Sequence, residues 1–282
     1  MTLAQIVKLV LMLSVILTVL ALALRARRHD YLYLFHDEWR LGLRALIAMF
    51  VLVPAAAILV IGLFDLKPPV EIALVALAFS PVPPLLPKKQ VKAGGDGAYI
   101  TGLLVGAALA SLIVAPLGLA LAGTVFGVAT HVSLAGMAMT LGITIALPLA
   151  LGLVGQRILG ARVEAVSEPL SKIAMLLFAA SVLALLFAMA PAIGELLGGG
   201  TIVVLAAMSL VGLAAGWRLA GGDPGNWAVL SLASAARHPG IAIGIATASF
   251  PDAKLAPAAI VLAAVVNAVI AIPYLRWLNA KG

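Results

Sequence analysis

Cysteine is absent from this 282-residue chain. Disulfides, thiolate nucleophiles and cysteine-ligated metals are thereby excluded, and cysteine usage says nothing of the redox compartment. Charge is scarce: Asp, Glu, Lys and Arg make up only 10% of the residues, where a soluble domain carries about 25% to clothe its surface. Catalytic signatures are missing as well. No H-E-x-x-H, no G-x-S-x-G and no carboxylate pair inside an apolar run is found, so the chain does not read as an enzyme. What is present is apolar. The residues AVILMFWYC account for 64% of the chain, and mean hydropathy is +1.19. That composition specifies an all-α polytopic membrane protein.

The net charge of +7 does not point to nucleic acid, because the basic residues sit in short connections between apolar runs. Such placement is the mark of membrane topology. A helix needs about 20 apolar residues to cross the hydrocarbon core, and that rule predicts nine transmembrane helices. They are Leu3–Leu24, Leu43–Phe64, Val70–Ala93 (interrupted), Tyr99–Leu121, Met137–Val154, Leu170–Met189, Ile202–Leu219, Trp227–Phe250 (interrupted) and Leu255–Tyr274. The first span carries Lys8 and an Ala21-Leu22-Ala23 site like a cleaved signal, but Arg25, Arg27 and Arg28 directly after it read as a stop on the cytoplasmic side. Of the 18 Lys and Arg, Lys8, Lys67 and Lys254 fall on one side, fourteen on the other, and Arg237 lies inside the eighth span. Positive residues accumulate in cytoplasmic loops. The expectation is a multi-pass protein of a plasma (bacterial inner) membrane, N-terminus outside and C-terminus cytoplasmic. The lipid bilayer is its expected partner, without nucleic acid; the oligomeric state is not encoded legibly.

Two spans are interrupted, by Ser80-Pro81-Val82-Pro83-Pro84-Leu85-Leu86-Pro87 and by Ala236-Arg237-His238-Pro239-Gly240. Proline removes donors and forbids continuous helix, while glycine permits close approach. Paired breaks in corresponding positions of two halves point to a transporter's central site. The chain therefore reads as one transmembrane transporter domain, 1–282. Within it, inverted units of about 3–122 and 168–278 are linked by a helix at about 137–154. Pro81, Pro83, Pro84, Pro239 and Gly240 shape the crossover backbone, and half-helix N-termini aimed there favour anions.

Met49-Phe50-Val51-Leu52-Val53-Pro54, Ile145-Ala146-Leu147-Pro148-Leu149-Ala150-Leu151-Gly152 and the eighth-span break with its following helix carry a resemblance. On them the chain resembles the bile acid:sodium symporter family. The resemblance implies a panel domain and a core domain, with two broken helices crossing near mid-membrane beside substrate and sodium sites. The sequence departs from the family's pattern at both crossovers. Ser80 to Pro87 stands where such symporters carry Gly-Gly and then Ser-Asn. Ala233 stands in place of their carboxylate, and Arg237-His238 in place of Gln-Asn. Oxygen ligands suited to a hard cation are largely missing, which weighs against sodium coupling.

Arg237 has two readings: a cap at a half-helix end that pairs with carbonyls or a nearby carboxylate, or a fixed charge that stands where sodium sits in relatives or clamps an anionic substrate bidentately. His238 is a hydrogen-bonded structural group or a proton carrier. Ser80, Thr101, Ser111 and Ser234 line the site or pack helices. Asn267 bonds between helices or faces the cavity, and Glu71 is an interfacial or helix N-terminal charge rather than a gate. The substrate-binding candidates are Arg237, His238, Ser234, Ser80, Thr101 and Asn267. Gly94-Gly95-Asp96-Gly97 is too short a turn to cradle phosphate. His29 and His36 with Asp30, Asp37 and Glu38 read as a solvated loop rather than a metal site. No resident cofactor or metal is expected, and Na+ or H+ remains as coupling ion. The function expected is secondary active transport of a small organic anion by alternating access. The alternatives are a proton-coupled or uncoupled carrier akin to auxin efflux carriers, and a non-transporting membrane receptor.

Overall fold

The computed structural model describes residues 3–26, 30, 32–83, 94–126, 135–136, 139 and 142–280. All regular structure among them is helical. The order is α1 (Leu3–Arg25), the short α2 (Tyr33–His36), α3 (Trp39–Ile47), a π-helical segment (Ala48–Leu52), α4 (Val53–Leu63), α5 (Pro68–Phe79) and α6 (Gly97–Phe126). A second π-helical segment (Gly142–Ala146) leads into α7 (Leu147–Leu159). A single 3-10 turn (Gly160–Arg162) then joins α8 (Val163–Leu196). After these come α9 (Thr201–Leu219), α10 (Pro224–Ala235), α11 (Pro239–Ser249) and α12 (Ala256–Asn279).

Among the described residues, seven stretches are long and apolar enough to cross a membrane, and one of them, Gly142–Leu196, runs for 55 residues. That stretch folds back at Gly160, whose φ of +49° is a glycine conformation, so it holds two helices. The large apolar side chains Phe187 (80% exposed) and Ile158 (78%) face outward, as a hydrocarbon solvent demands.

Prolines set many of the boundaries. Pro68, Pro224, Pro239 and Pro257 sit in the first two positions of α5, α10, α11 and α12, where a missing N–H costs nothing. Pro54 and Pro148 occupy the same place in α4 and α7, each directly after a π-helical segment. The register there is wide: the Val53 N–H bonds the Ala48 carbonyl, five residues back. One residue on, Pro54 has no N–H to give, so the Met49 carbonyl loses its partner in that register and is left free to accept from elsewhere.

Several boundaries differ from expectation. The sixth helix, α8, runs from Val163 to Leu196 rather than from Leu170 to Met189, with Pro169 and Pro191 inside it. The second starts at Trp39 rather than Leu43. Met137, the expected start of the fifth, lies outside the described residues, as do Pro84 and Pro87. The second interruption is Ala236–His238; Pro239 and Gly240 open α11 instead of lying in the break, because proline fits a first helical turn.

Two packing groups emerge. In the first, α1 lies against α7 and α8. A Cβ on Gly152 would collide with Ala23, and Gly155 faces Leu24 closely. Gln156 Nε2 donates to the carbonyls of Ala23 (2.6 Å) and Ala26, and Arg25 Nε donates to Ser167 Oγ (2.8 Å). The second group gathers α3 to α6 and α9 to α12. Gly212 and Gly216 form a G-x-x-x-G face on α9: a Cβ on Gly212 would come within 2.5 Å of Ala235 Cα. Small residues there bring α10 into backbone contact, the usual way membrane helices associate tightly. Lys67 Nζ ties the groups at one end, donating to the carbonyls of Glu195 (2.7 Å) and Leu197 (3.2 Å).

Candidate functional site

Two helices stop inside the second group. The first, α5, ends at Phe79, and Ser80 turns to extended backbone (φ −78°, ψ 152°). The other, α10, ends at Ala235, with Ala236 extended (φ −89°, ψ 131°) before α11 begins at Pro239. The breaks touch. His238 N–H donates to the Pro81 carbonyl at 2.8 Å, so the two interruptions share a backbone hydrogen bond.

Arg237 binds them more firmly. Its Nη1 donates to the Ser80 carbonyl at 3.2 Å, and its Nη2 donates to the Met49 carbonyl. The guanidinium carbon lies 5.4 Å from the centre of the Phe50 ring, within range of a cation–π contact. With 7% of its surface exposed, this is a buried cation. Ser80 caps the C-terminal end of α5, where the helix dipole is negative, and Met49 offers the oxygen that Pro54 cannot bond. The charge thus rests on carbonyls.

Each remaining candidate has a defined place. His238 caps α11: its Nδ1 accepts from the Ile241 N–H at 3.3 Å. A ring accepting at Nδ1 carries its proton on Nε2 when neutral, and Nε2 is buried with no hydrogen-bond partner. Asn267 Nδ2 donates to the Ala235 carbonyl at 3.1 Å, closing the end of α10. Ser80 turns its Oγ back to the Leu77 carbonyl (3.0 Å) and reaches the site only through its own carbonyl. Ser234 Oγ is buried without a partner. Ser111 bonds the Ala108 carbonyl and serves α6 alone. Thr101 is buried one turn into α6, next to Gly102, whose Cβ would lie 3.2 Å from the Asp30 carbonyl. That is the end of α6 that packs on α2.

A cavity of about 310 Å³ opens between the two packing groups. Val15 of α1 and Phe178 and Val182 of α8 form one wall; Leu74 and Leu77 of α5 and Met208 of α9 form the other. The crossover contributes Pro83, Arg237, His238, Pro239 and Gly240, and α12 contributes Asn267. Ser80, Ser234, Thr101 and Pro81 do not line it. Ser209 does, unsuspected from sequence, but its Oγ is spent on the Leu205 carbonyl (2.9 Å). Among the described residues no carboxylate lines this cavity. It is an aliphatic chamber with one polar end.

Elsewhere, His36 Nδ1 meets Asp37 Oδ1 at 3.2 Å, and no group of three His, Asp or Glu that could hold a metal stands together among the described residues; His29 lies outside them. Burial, and after it the carboxylates of Asp96, Glu38, Asp223 and Asp37, pushes the Tyr33 phenol above its usual range. Of these, only Glu38 and Asp37 belong to that loop.

Residues 7–196 match the Sodium Bile acid symporter family. The match covers more than half of the 282 residues, and the chain belongs to that family. It is a membrane transporter with multiple helical spans, not an enzyme. No curated protein matches it. The matched stretch contains the first break and both π-helical segments; the second break lies past its end.

A sodium ion, which the family's description implies, needs a shell of oxygen ligands. At this crossover the carbonyls of Met49 and Ser80 already hold a guanidinium. Ala233 is buried beside the break with no oxygen on its side chain. The residues present do not fit the ion there.

Proposed function

We propose that this chain is a nine-helix secondary transporter moving a small organic anion by alternating access. The carrying observation is the cavity between the two packing groups, with a buried guanidinium at its polar end and no carboxylate in its described walls. An anion in an apolar chamber needs a compensating charge, since an unpaired buried charge is expensive. Arg237 supplies it, His238 Nε2 and Asn267 offer hydrogen bonds, and Ser234 stands one turn before the break. The α1, α7 and α8 group acts as the panel against a core formed by the rest. Counting α3 with α4 and α10 with α11 as single spans, and α5 as part of the expected interrupted third span, gives nine helices, arranged as inverted units of about 3–122 and 168–278.

The orientation proposed has the N-terminus outside and the C-terminus in the cytoplasm of a bacterial-type plasma membrane. Trp217, Trp227 and Trp277 cluster at one end, with ring centroids 6.0 and 6.3 Å apart, flanked in sequence by Arg218 and Arg276. Aromatic belts mark a membrane interface on either side, and the basic residues beside this one favour the cytoplasmic side. Cysteines at Thr2 and Lys281, labelled by an impermeant reagent in intact cells, test this. Thr2 should react and Lys281 should not; the reverse overturns the orientation. Transport is tested in proteoliposomes with labelled aliphatic and aromatic monocarboxylates. Uptake above empty vesicles is expected for at least one, and saturable binding of such an anion without any uptake would favour a receptor.

A further inference from the structure

The coupling cation of this carrier, we propose, is built into its chain: the Arg237 guanidinium occupies the carbonyl site that a free ion would need, so the protein neither binds nor uses sodium. The binding claim stands on the crossover geometry alone; only its consequence for transport rests on the function proposed above.

In broken-helix transporters, half-helix C-termini and unwound carbonyls are the groups that coordinate a monovalent cation. Here those groups are identifiable and taken. The Ser80 oxygen ends α5 and accepts from Arg237 Nη1 at 3.2 Å. The Met49 oxygen, freed by Pro54 in the π register, accepts from Nη2. Phe50 closes the site from the side with its ring face, and Asn267 covers the remaining nearby helix end at the Ala235 carbonyl. A second cation would have to compete for these oxygens with a guanidinium that cannot diffuse away and cannot deprotonate. It would also sit within a few ångströms of a like charge in a medium of low dielectric, where repulsion is strong. The burial of Arg237 without a carboxylate has the same cause: oriented carbonyl dipoles carry the compensation.

A free ion leaves and returns with each cycle and so ties transport to its gradient. A tethered one cannot. This carrier is therefore not driven by a sodium gradient.

Thermal unfolding of the purified full chain in sodium chloride and in choline chloride, at equal ionic strength, tests the site without any substrate. An ion at a hundredfold excess over its dissociation constant raises the midpoint by several degrees. The wild type should melt at the same temperature in both salts, and saturable stabilisation by sodium overturns the proposal. Arg237→Ala should melt lower than the wild type, with Arg237→Lys between them. An Arg237→Ala midpoint equal to wild type would also overturn it. If the alanine variant does not fold, the wild-type comparison decides alone. Failure of monocarboxylate uptake would leave this result standing, and sodium stabilisation of the wild type would leave the transport reading standing.

Discussion

The two breaks at the crossover are chemical opposites. Ser80-Pro81-Val82-Pro83 is poor in donors, because two of its four residues lack an N–H, and what it presents are the carbonyls of Ser80 and Pro81. Ala236-Arg237-His238 is rich in donors, and it gives Arg237 Nη1 to the first oxygen and the His238 N–H to the second. One interruption accepts and the other donates. In a symmetric pair with like interruptions, freed carbonyls on both sides call for an external cation. Here the asymmetry satisfies them within the chain.

The largest effect expected is at the centre of this pairing. Arg237→Ala leaves the Ser80 and Met49 carbonyls buried and unbonded, at about 1–3 kcal/mol each, so a loss of roughly 2–6 kcal/mol in unfolding free energy is expected. A loss below about 1 kcal/mol in reversible denaturation would mean that water replaces the guanidinium freely.

Next come the glycines that hold α10 in place. A Cβ on Gly216 would lie 2.5 Å from the Leu230 carbonyl oxygen, so Gly216→Ala should cost about 1–3 kcal/mol through displaced backbone. Gly244, on the other half of the same broken helix, has nothing within 4 Å. Gly244→Ala should be neutral or stabilise by up to about 1 kcal/mol. Equal effects at the two sites, read by thermal melting, would show that the α9–α10 contact is looser than described.

His238→Ala removes the cap of α11 and should cost about 0.5–2 kcal/mol, whereas His238→Asn, which also caps well, should cost a few tenths. Hydrogen exchange at the Ile241 amide reports the cap directly. Similar protection in the two variants would place the cap's strength elsewhere.

The smallest effect is expected at Lys67, whose two bonds to the carbonyls of Glu195 and Leu197 link the packing groups at one end. Lys67→Met should weaken that closure by about 0.5 kcal/mol, because both bonds are exposed to solvent. A cysteine placed at Val15 in the cavity wall should then react faster with an impermeant reagent added on the Lys67 side. An unchanged labelling rate would remove Lys67 from the closure.

Much of this architecture is legible in the sequence because lipid is a strict solvent. Apolar runs of fixed length, and prolines where they stop, locate α5, α10 and α11 directly. Apolar length alone misplaces the ends of α8, which runs past Leu170 and Met189 and continues through Pro169 and Pro191. The partners of Arg237 are not legible at all. Met49 is an ordinary apolar residue whose carbonyl becomes available only when the π register places Pro54 opposite it. Thr101 looks like a polar residue at membrane depth, yet it lies at the end of α6 that packs on α2. Ser234 lies close to the break in sequence while its hydroxyl misses the cavity. Position along a helix is readable from spacing, but direction around its axis depends on neighbours that sequence does not name.

Whether Arg237 has taken the place of a free ion is decided by equilibrium binding of radiolabelled sodium to the purified wild-type chain. No saturable binding above that of empty detergent micelles is expected, because the carbonyls of Met49 and Ser80 are occupied by Arg237. Saturable binding approaching one ion per chain, displaced by excess unlabelled sodium but not by choline, would contradict the tethered cation.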